Sequence, residues 1–478
     1  MTTRLDAVVV GGGPNGLAAA IELAAAGRRV RVIEAKDTLG GGCRTAELIE
    51  RGVWHDVCSA IHPLARSSPF FSRLPLDILG LEWIEPPIQI AHPLDDGSAG
   101  LVLRSIGETA ASFGSAPDAA LYERWMGPLV RDWEVIAHEL LGPLRLAAGL
   151  RHPVGVTRFA LPSILPASRV ARRFRSPAAR ALIAGCSAHS FLRLSAPMSA
   201  GFGLALLTSA HAVGWPMPRG GSGRIIDALA AHLRDLGGEI ETGRPVGALD
   251  ELPAHRAAIL DVTPRQVLRL AGSRLGGAYA AQLRRYRYGP AAFKLDLVLD
   301  APVPWANPLL GHAGTVHLGG TLEEVEASER AVHEGRVSDR PFVLVAQPTQ
   351  FDPTRAPAGR HVLWAYCHVP NGWTGDAGAA IERQIERFAP GFRGLVRARH
   401  VMRPADMEAY NANYVGGDIN GGLQHWSQFF TRPALRRDPY STPDPAIFIG
   451  SSSTPPGGGV HGLCGMHAAR SALRGALA

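Results

Sequence analysis

Short apolar runs alternate with glycine turns and alanine- or leucine-rich stretches along most of this chain. Ala7-Val8-Val9-Val10 is apolar and rich in β-branched residues, which predicts a buried strand. Gly11-Gly12-Gly13-Pro14-Asn15-Gly16 follows as a tight turn. Leu17 to Ala26 then reads as an alanine-rich helix stopped by Gly27. A second strand, Val30 to Ile33, ends in Glu34. Strand-like pieces at Leu81 to Ile90 and Gly100 to Leu103 give way to a helix over Leu121 to Leu141. There Trp125, Leu129, Trp133, Ile136 and Leu140 recur at helical spacing. Pro128 kinks or restarts that helix, and Pro153, Pro162 and Pro166 break Leu144 to Ala171 into short helices. Gly220 to Gly223 opens a helix over Arg224 to Leu233, and Glu239 to Thr242 and Ala257 to Asp261 read as strands. A period of two then places Phe293, Leu295, Leu297 and Leu299 on one face of a strand, with Lys294 and Asp296 on the other. His361 to Val369 is a strand leading to a turn, and Ala409 to Gly422 is a polar, glycine-rich loop. The chain closes with a strand at Ala446 to Gly450, a loop, and a helix over Leu463 to Leu477.

The first of these elements carry chemistry. Gly11, Gly13 and Gly16 fill the three positions of G-x-G-x-x-G between a strand and a helix. The first allows the turn, the second lets backbone approach a pyrophosphate, and the third lets helix pack on strand. Pro14 and Asn15 open a helix whose free N–H groups and partial positive charge suit phosphate. Glu34 stands 21 residues after Gly13, where an acid accepts from ribose hydroxyls. Strand, turn, helix, strand and acid in that order point to a dinucleotide site. The plain alternative is a βαβ unit with a glycine-rich loop. The second glycine cluster, Gly220 to Gly223, follows Met217-Pro218-Arg219 rather than a strand, so a second dinucleotide unit is not expected.

Composition narrows the class. With 478 residues, 46% hydrophobic and 19% charged, the chain is globular and long enough for two interleaved domains. The formal charge is +7, but almost all of the basic residues are arginine, since Lys36 and Lys294 are the only lysines. There is no basic tail and no aromatic-basic recognition motif, so no nucleic-acid partner is expected. The N-terminus enters its first strand within about six residues, leaving no room for a signal peptide, and no run of about 18 apolar residues suggests a spanning helix. Cys43, Cys58, Cys186, Cys367 and Cys464 are scattered without a C-x-x-C, as in reduced cytoplasmic proteins. Cys43 follows a glycine pair, as redox cysteines do in flavin disulfide reductases. The position five residues on is Leu48, which argues against dithiol chemistry. No His/Cys/Asp set has metal-ligand spacing and no G-x-S-x-G elbow occurs, so neither a metal site nor a serine hydrolase is expected.

Glu34-Ala35-Lys36-Asp37-Thr38-Leu39-Gly40-Gly41-Gly42-Cys43-Arg44-Thr45 resembles the E-x(5)-GG-x-R-T extension of FAD-binding oxidoreductases of the amine oxidase and phytoene desaturase superfamily. Trp215 to Gly223 resembles a further element of that superfamily. Pro455-Pro456-Gly457-Gly458-Gly459-Val460-His461-Gly462 with the following helix resembles its closing element. His361 to Pro370 and Ala409 to Gly422 resemble its phytoene dehydrogenase-like branch, which includes the pyridine nucleotide-disulfide oxidoreductase domain-containing proteins. The resemblance implies an α/β fold: a discontinuous Rossmann-type FAD-binding domain (1–75, 210–270 and 431–478) with an inserted α+β substrate or lid domain (76–209 and 271–430). It implies FAD held by Gly11, Gly13, Pro14, Asn15, Gly16, Glu34, Ala35, Gly41, Gly42, Arg44, Val246, Gly450, Gly458, Gly459 and Val460.

For catalysis the resemblance singles out two residues. Lys294 corresponds to the lysine that, in amine oxidases, reaches a water beside the flavin N5, and His461 comes second. The plain reading of Lys294 is a lysine on the solvent face of its strand, and both readings stand. His62, with Tyr414 and Trp426, is a candidate for the substrate side, along with His55. The function implied is hydride transfer between FAD and a small apolar substrate, carotenoid-like or otherwise lipidic, with oxygen or a quinone as acceptor. Amine oxidation, flavin-dependent isomerisation and a flavin-stabilised binding protein are the alternatives. Ala160 to Pro166, apolar, runs into Arg169, Arg172, Arg173 and Arg175. That fits either peripheral contact with a membrane interface or a solvated helix face over a packed lid.

Overall fold

In the computed structural model, residues 4–143 and 153–478 are described. The opening strand Ala7–Val10 lies in the middle of a five-stranded sheet. Its neighbours are Val30–Ile33 and Glu239–Glu241 on one side and Ala257–Leu260 and Ile447–Ile449 on the other, all parallel. Both faces are covered, which is why these strands read as continuous apolar runs. Ala7 and Val9 pack under the helix Pro14–Ala25, and Val8 and Val10 pack on the other face with Val267 and Leu270. The sheet therefore gathers strands from the beginning, the middle and the end of the chain. Alanines along Pro14–Ala25 keep it thin enough to be buried almost throughout, and the C-terminal helix Leu463–Arg474 crosses it closely.

The second sheet has seven strands in the order Val396–Met402, Ala291–Leu299, His361–Val369, Val343–Ala346, Ala313–Leu318, Ile88–Pro93, Ala99–Val102. All pairs are antiparallel except Ala313–Leu318 with Ile88–Pro93. Phe293, Leu295, Leu297 and Leu299 share a core with Ile381, Ile385 and Phe388 of the helix Gly378–Phe388, as the period of two predicts. The opposite face is not solvent. Every residue of Ala291–Leu299 is buried, Lys294 and Asp296 included, which excludes the solvent-face reading of Lys294.

Helices cover that opposite face. The helix expected over Leu121 to Leu141 is two, Ala116–Arg131 and Trp133–Leu140. The break comes at Asp132, one turn beyond Pro128, which the first helix carries inside it. The prolines of the next stretch divide Pro153–Ser163 from Ala167–Ala171, while residues 144–152 of that expectation lie outside those described. Only Trp83–Ile84 and Ile88–Pro93 of the expected Leu81 to Ile90 strand are extended, interrupted by Pro86 and Pro87. The Gly220 to Gly223 cluster opens the helix Gly223–Asp235 and packs against the first nucleotide unit. Gly221, at φ +99°, lies against Thr45 and Asp56. Among the described residues no helix is long and apolar enough to cross a membrane.

Candidate functional site

A cavity of about 440 Å³ runs from the carboxyl ends of the parallel strands to the inner face of the seven-stranded sheet. Its nucleotide end is built on two glycine turns that touch. Gly11 has φ +106°, open to glycine, and a Cβ on it would lie 3.0 Å from the Asp261 carbonyl oxygen. Gly41, at φ +53°, approaches so closely that a Cβ there would stand 3.2 Å from the Gly13 Cα. The helix Pro14–Ala25 starts at this contact with Gly13 as its cap, and the Asp261 carboxyl accepts from Gly16 N in its first turn. Gly16 lies behind the wall, where a Cβ would overlap the Gly11 carbonyl. That is the packing role expected of the third glycine.

Glu34 ends its strand beside the turn. Its Oε2 accepts from Gly12 N at 2.7 Å and its Oε1 from Lys36 N at 2.9 Å. Arg44 Nη2 donates to the same Oε1 at 3.2 Å and to the Thr38 carbonyl at 2.7 Å, with the guanidinium over the Tyr410 ring. Arg44 is thus compensated in place by Glu34 rather than offered as a free cation. Ala35 and Val246 line the same end, and Gly42, Gly459 and Val460 line the middle. Tyr414 closes over Gly42 with its hydroxyl at the position a Cβ would take. His62 also lies on the wall. Its Nε2 is 2.8 Å from Ser222 Oγ, and burial lowers its pKa to about 4, so it is neutral.

Other candidates are placed elsewhere. Gly450 packs between Ala468 and Ile259, and Gly458 against Asn420, both behind the wall. Trp426 is 52% exposed and away from the cavity, because its helix Trp426–Phe429 is a surface turn, so it does not fit a substrate role. His461 is fully buried in the closing loop. Leu463 N donates to its Nδ1 at 3.1 Å, leaving Nε2–H to donate to the Gly457 carbonyl at 3.2 Å. Burial lowers its pKa to about 4. With both nitrogens committed and no place on the wall, His461 shapes the loop rather than acting on a bound ring.

Lys294 sits one layer behind the wall. Its ammonium is bonded to Asp296 and lies 5.7 Å from the centre of the Trp364 ring, which faces the cavity. Asp296 Oδ1 is 3.5 Å from His55 Nδ1. Burial works against the Asp296 carboxylate, but Lys294 and His55 outweigh it and hold its pKa below the usual range. Cys43 is buried with its thiol pKa raised to about 12 by desolvation, which fits a packing residue.

Several wall residues were not singled out by sequence. Asp261 Oδ2 accepts from Gly16 N at 2.9 Å, and burial raises its pKa well above the usual carboxylate range. Like Glu34 it follows an apolar strand directly, and that signal was there to be used. Trp364 and Tyr366 face the cavity because they pair across the sheet with Asp296 and Lys294. His189, Trp215, Thr315 and Leu344 complete the lid end. Such register is invisible in a linear sequence. Among the described residues no group of three or more His, Cys, Asp or Glu side chains is arranged to hold a metal ion.

Residues 9–74 match the NAD(P)-binding Rossmann-like domain family. The chain is 27% identical to the Mus musculus pyridine nucleotide-disulfide oxidoreductase domain-containing protein 2, over 98% of this chain and 93% of that protein. Among solved structures it is similar to an oxidoreductase from Methanosarcina mazei. The TM-score is 0.65 at 18% identity, covering 98% of this chain and 100% of the other. It is also similar to putrescine oxidase bound to putrescine, with TM-score 0.60 at 16% identity, covering 99% and 98%. The likenesses to solved structures span nearly the whole chain and show the fold: a Rossmann-like unit joined to a second unit built on a mixed sheet.

The site fits FAD on its own geometry. Two glycine turns in contact leave backbone open on both sides of a pyrophosphate. The acid at the end of the second strand is placed for a ribose. Asn15 Oδ1 is buried at the helix start without a partner among the described residues.

Proposed function

We propose that this protein is an FAD-dependent oxidoreductase acting on a small, largely apolar substrate. One observation carries the reading: a single cavity joins the two glycine turns and Glu34 to an aromatic wall of Trp364, Tyr366 and Tyr414. A plain nicotinamide dehydrogenase does not need the second turn at Gly40 to Gly42, and FAD does. When bound, FAD supplies a two-electron acceptor for hydride. The chain's own residues do the rest. Gly11, Gly13, Asn15, Glu34 and Gly41 hold the dinucleotide, with Val246 at the adenine end by resemblance. Gly459 and Val460 bring the loop before the helix Leu463–Arg474 to the middle of the cavity. Trp364, Tyr366, Leu206 and Leu344 exclude water from the lid end, where the substrate lies. Lys294, neutralised by Asp296 and shielded by Trp364, holds a proton one layer from the site. The phytoene dehydrogenase-like direction, with oxygen or a quinone taking the electrons, rests on the resemblance of His361 to Pro370 and Ala409 to Gly422.

Amine oxidation remains a second reading, because an aromatic wall attracts a cation as well as a lipid. The test begins with the visible spectrum of the purified protein and identification of what denaturation releases. Released FAD followed by anaerobic bleaching with lipids or carotenoids supports the proposal, and amine-dependent peroxide release moves the assignment to amine oxidation. A colourless protein that FAD cannot reconstitute overturns both.

A further inference from the structure

The lid end of the cavity is largely apolar; beside the Tyr366 hydroxyl and the Trp215–Thr315 hydrogen bond it carries one imidazole. His189, which caps the helix Pro177–Ala188, lies on the wall with its Nε2 3.0 Å from the Nε2 of His317, on the strand Ala313–Leu318. One nitrogen of that pair donates and the other accepts, and the surroundings decide which. His317 is fully buried and its Nδ1 has no partner. The neighbouring His92 is bound through Nε2 to the Gly320 carbonyl at 2.8 Å, so that nitrogen carries the proton and its Nδ1 is a bare lone pair. Both Nδ1 atoms face Gly185, where a Cβ would stand 2.6 Å from His92 Nδ1 and 2.8 Å from His317 Nδ1. Gly185 lies inside a helix, so its N–H is spent within the helix.

An N–H buried at His317 Nδ1 would be an orphan donor, which folded proteins almost never keep; a bare lone pair is the cheaper state. His317 therefore carries its proton on Nε2 and donates to His189 Nε2. His189 must then carry its own proton on Nδ1, an atom that makes no hydrogen bond among the described residues. Burial keeps the pair neutral, holding His317 well below its ordinary value and His189 at about 3. The other titratable ring beside them, His368, is tied to the Glu329 carboxylate at 2.8 Å and is not on the wall.

We propose that His189 is a specificity residue whose Nδ1–H donates to a neutral acceptor oxygen, of the carbonyl class, on an otherwise apolar substrate. This deepens the proposed function and rests on its placing of the substrate at the lid end. The acceptor is neutral because the cations of the wall, Lys36, Arg44, Arg244 and Arg269, belong to the nucleotide half. A pure hydrocarbon leaves the N–H unpaired, and an ammonium ion meets a donor where it needs an acceptor.

Two measurements test this, the first on the protein as purified and the second on the FAD-loaded protein. Nitrogen NMR on histidine-labelled protein, with His189→Gln for assignment, reads the tautomer directly. The expected result is a protonated Nδ1 and a bare Nε2 at His189. Calorimetry compares dodecan-2-one with dodecane, presented in the same micelles. The ketone is expected to bind about tenfold more tightly, or 1.4 kcal/mol at 25 °C. His189→Phe should erase that preference and His189→Gln, which keeps a donor, should retain part of it. The reverse tautomer, a preference unchanged in His189→Phe, or no binding of either probe overturns the inference. Because the tautomer is read whether or not flavin is present, failure to bind FAD would sink the proposed function separately.

Discussion

At the scale of single residues, Lys294 and Asp296 show why burial changes the meaning of a charge. The pair is closed off between Trp364 and His55. Removing one partner of such a pair leaves the other charge uncompensated, at about 3–5 kcal/mol. Lys294→Met is therefore expected to lower the denaturant midpoint strongly, and Lys294→Met/Asp296→Asn to recover most of the loss. Flavin reduction and reoxidation should then be timed in the double variant. Rates equal to wild type in that folded, flavin-loaded protein would remove Lys294 from catalysis. Glu34 yields a second prediction. Its carboxylate anchors the Gly12 N–H and Arg44 besides any ribose, so Glu34→Gln should weaken FAD binding by about tenfold, a loss near 1.4 kcal/mol. Titration of apoprotein with FAD, followed by quenching of flavin fluorescence, would show it, and an unchanged affinity would mean that Glu34 serves the turn alone. Glu34 was legible because it closes an apolar run. Trp364 and His189 were not, because only cross-strand register and the path of the lid helices bring them to the wall.

At the scale of elements, the most demanding contact is between the first helix and the last. Gly465 in Leu463–Arg474 crosses Pro14–Ala25 where a Cβ would overlap the Asn15 carbonyl. Overpacking of this kind costs about 1–3 kcal/mol. Here the strain falls on the backbone that opens the cofactor site. Gly465→Ala should lower the melting temperature and the flavin content together. A variant with normal flavin content would show that the helices separate without moving the turn. The two ends of the chain were legible as matching halves of one site because strand, glycine turn and helix are local patterns. The seven-stranded sheet was not, since its pairings join residues far apart in sequence. The helix Pro153–Ser163 adds a prediction from its surface. Val154, Leu161 and Ile164 are 59%, 61% and 54% exposed beside Arg158 and Arg169, the composition of a helix that rests on an anionic membrane. Co-sedimentation with phosphatidylserine vesicles, reduced in Leu161→Glu/Ile164→Glu, would support peripheral contact. Equal sedimentation of wild type and variant would leave the solvated-face reading standing.

At the scale of the whole molecule, the buried histidines set the pH range in which the fold holds. His62, His92, His211 and His461 are each lowered from 6.5 to about 4, chiefly by desolvation. The unfolded chain binds protons at these sites from about pH 6.5 downward, whereas the folded chain resists them until about pH 4. Stability is therefore full above pH 6.5 and is lost progressively as pH falls between the two values. At pH 5 a site held near 4 destabilises the fold by about 2 kcal/mol, and His189 and His317, held lower still, act in the same direction. Asp261 and Asp418, whose carboxyls are raised by burial, act in the opposite direction and offset part of this. Asp296, held low by Lys294 and His55, loses its contribution only below the ordinary carboxylate range, after the histidines have acted. The melting temperature, measured in excess FAD to separate unfolding from flavin loss, should be level from pH 8 to about 6.5 and fall steeply toward pH 5. His211→Phe should make that fall shallower, because its ring is bonded to Tyr122 and the Arg104 carbonyl and lies off the cavity wall. A melting temperature flat down to pH 5 would mean that these rings take up protons in the folded state and that the interior around them is wetter than its packing implies.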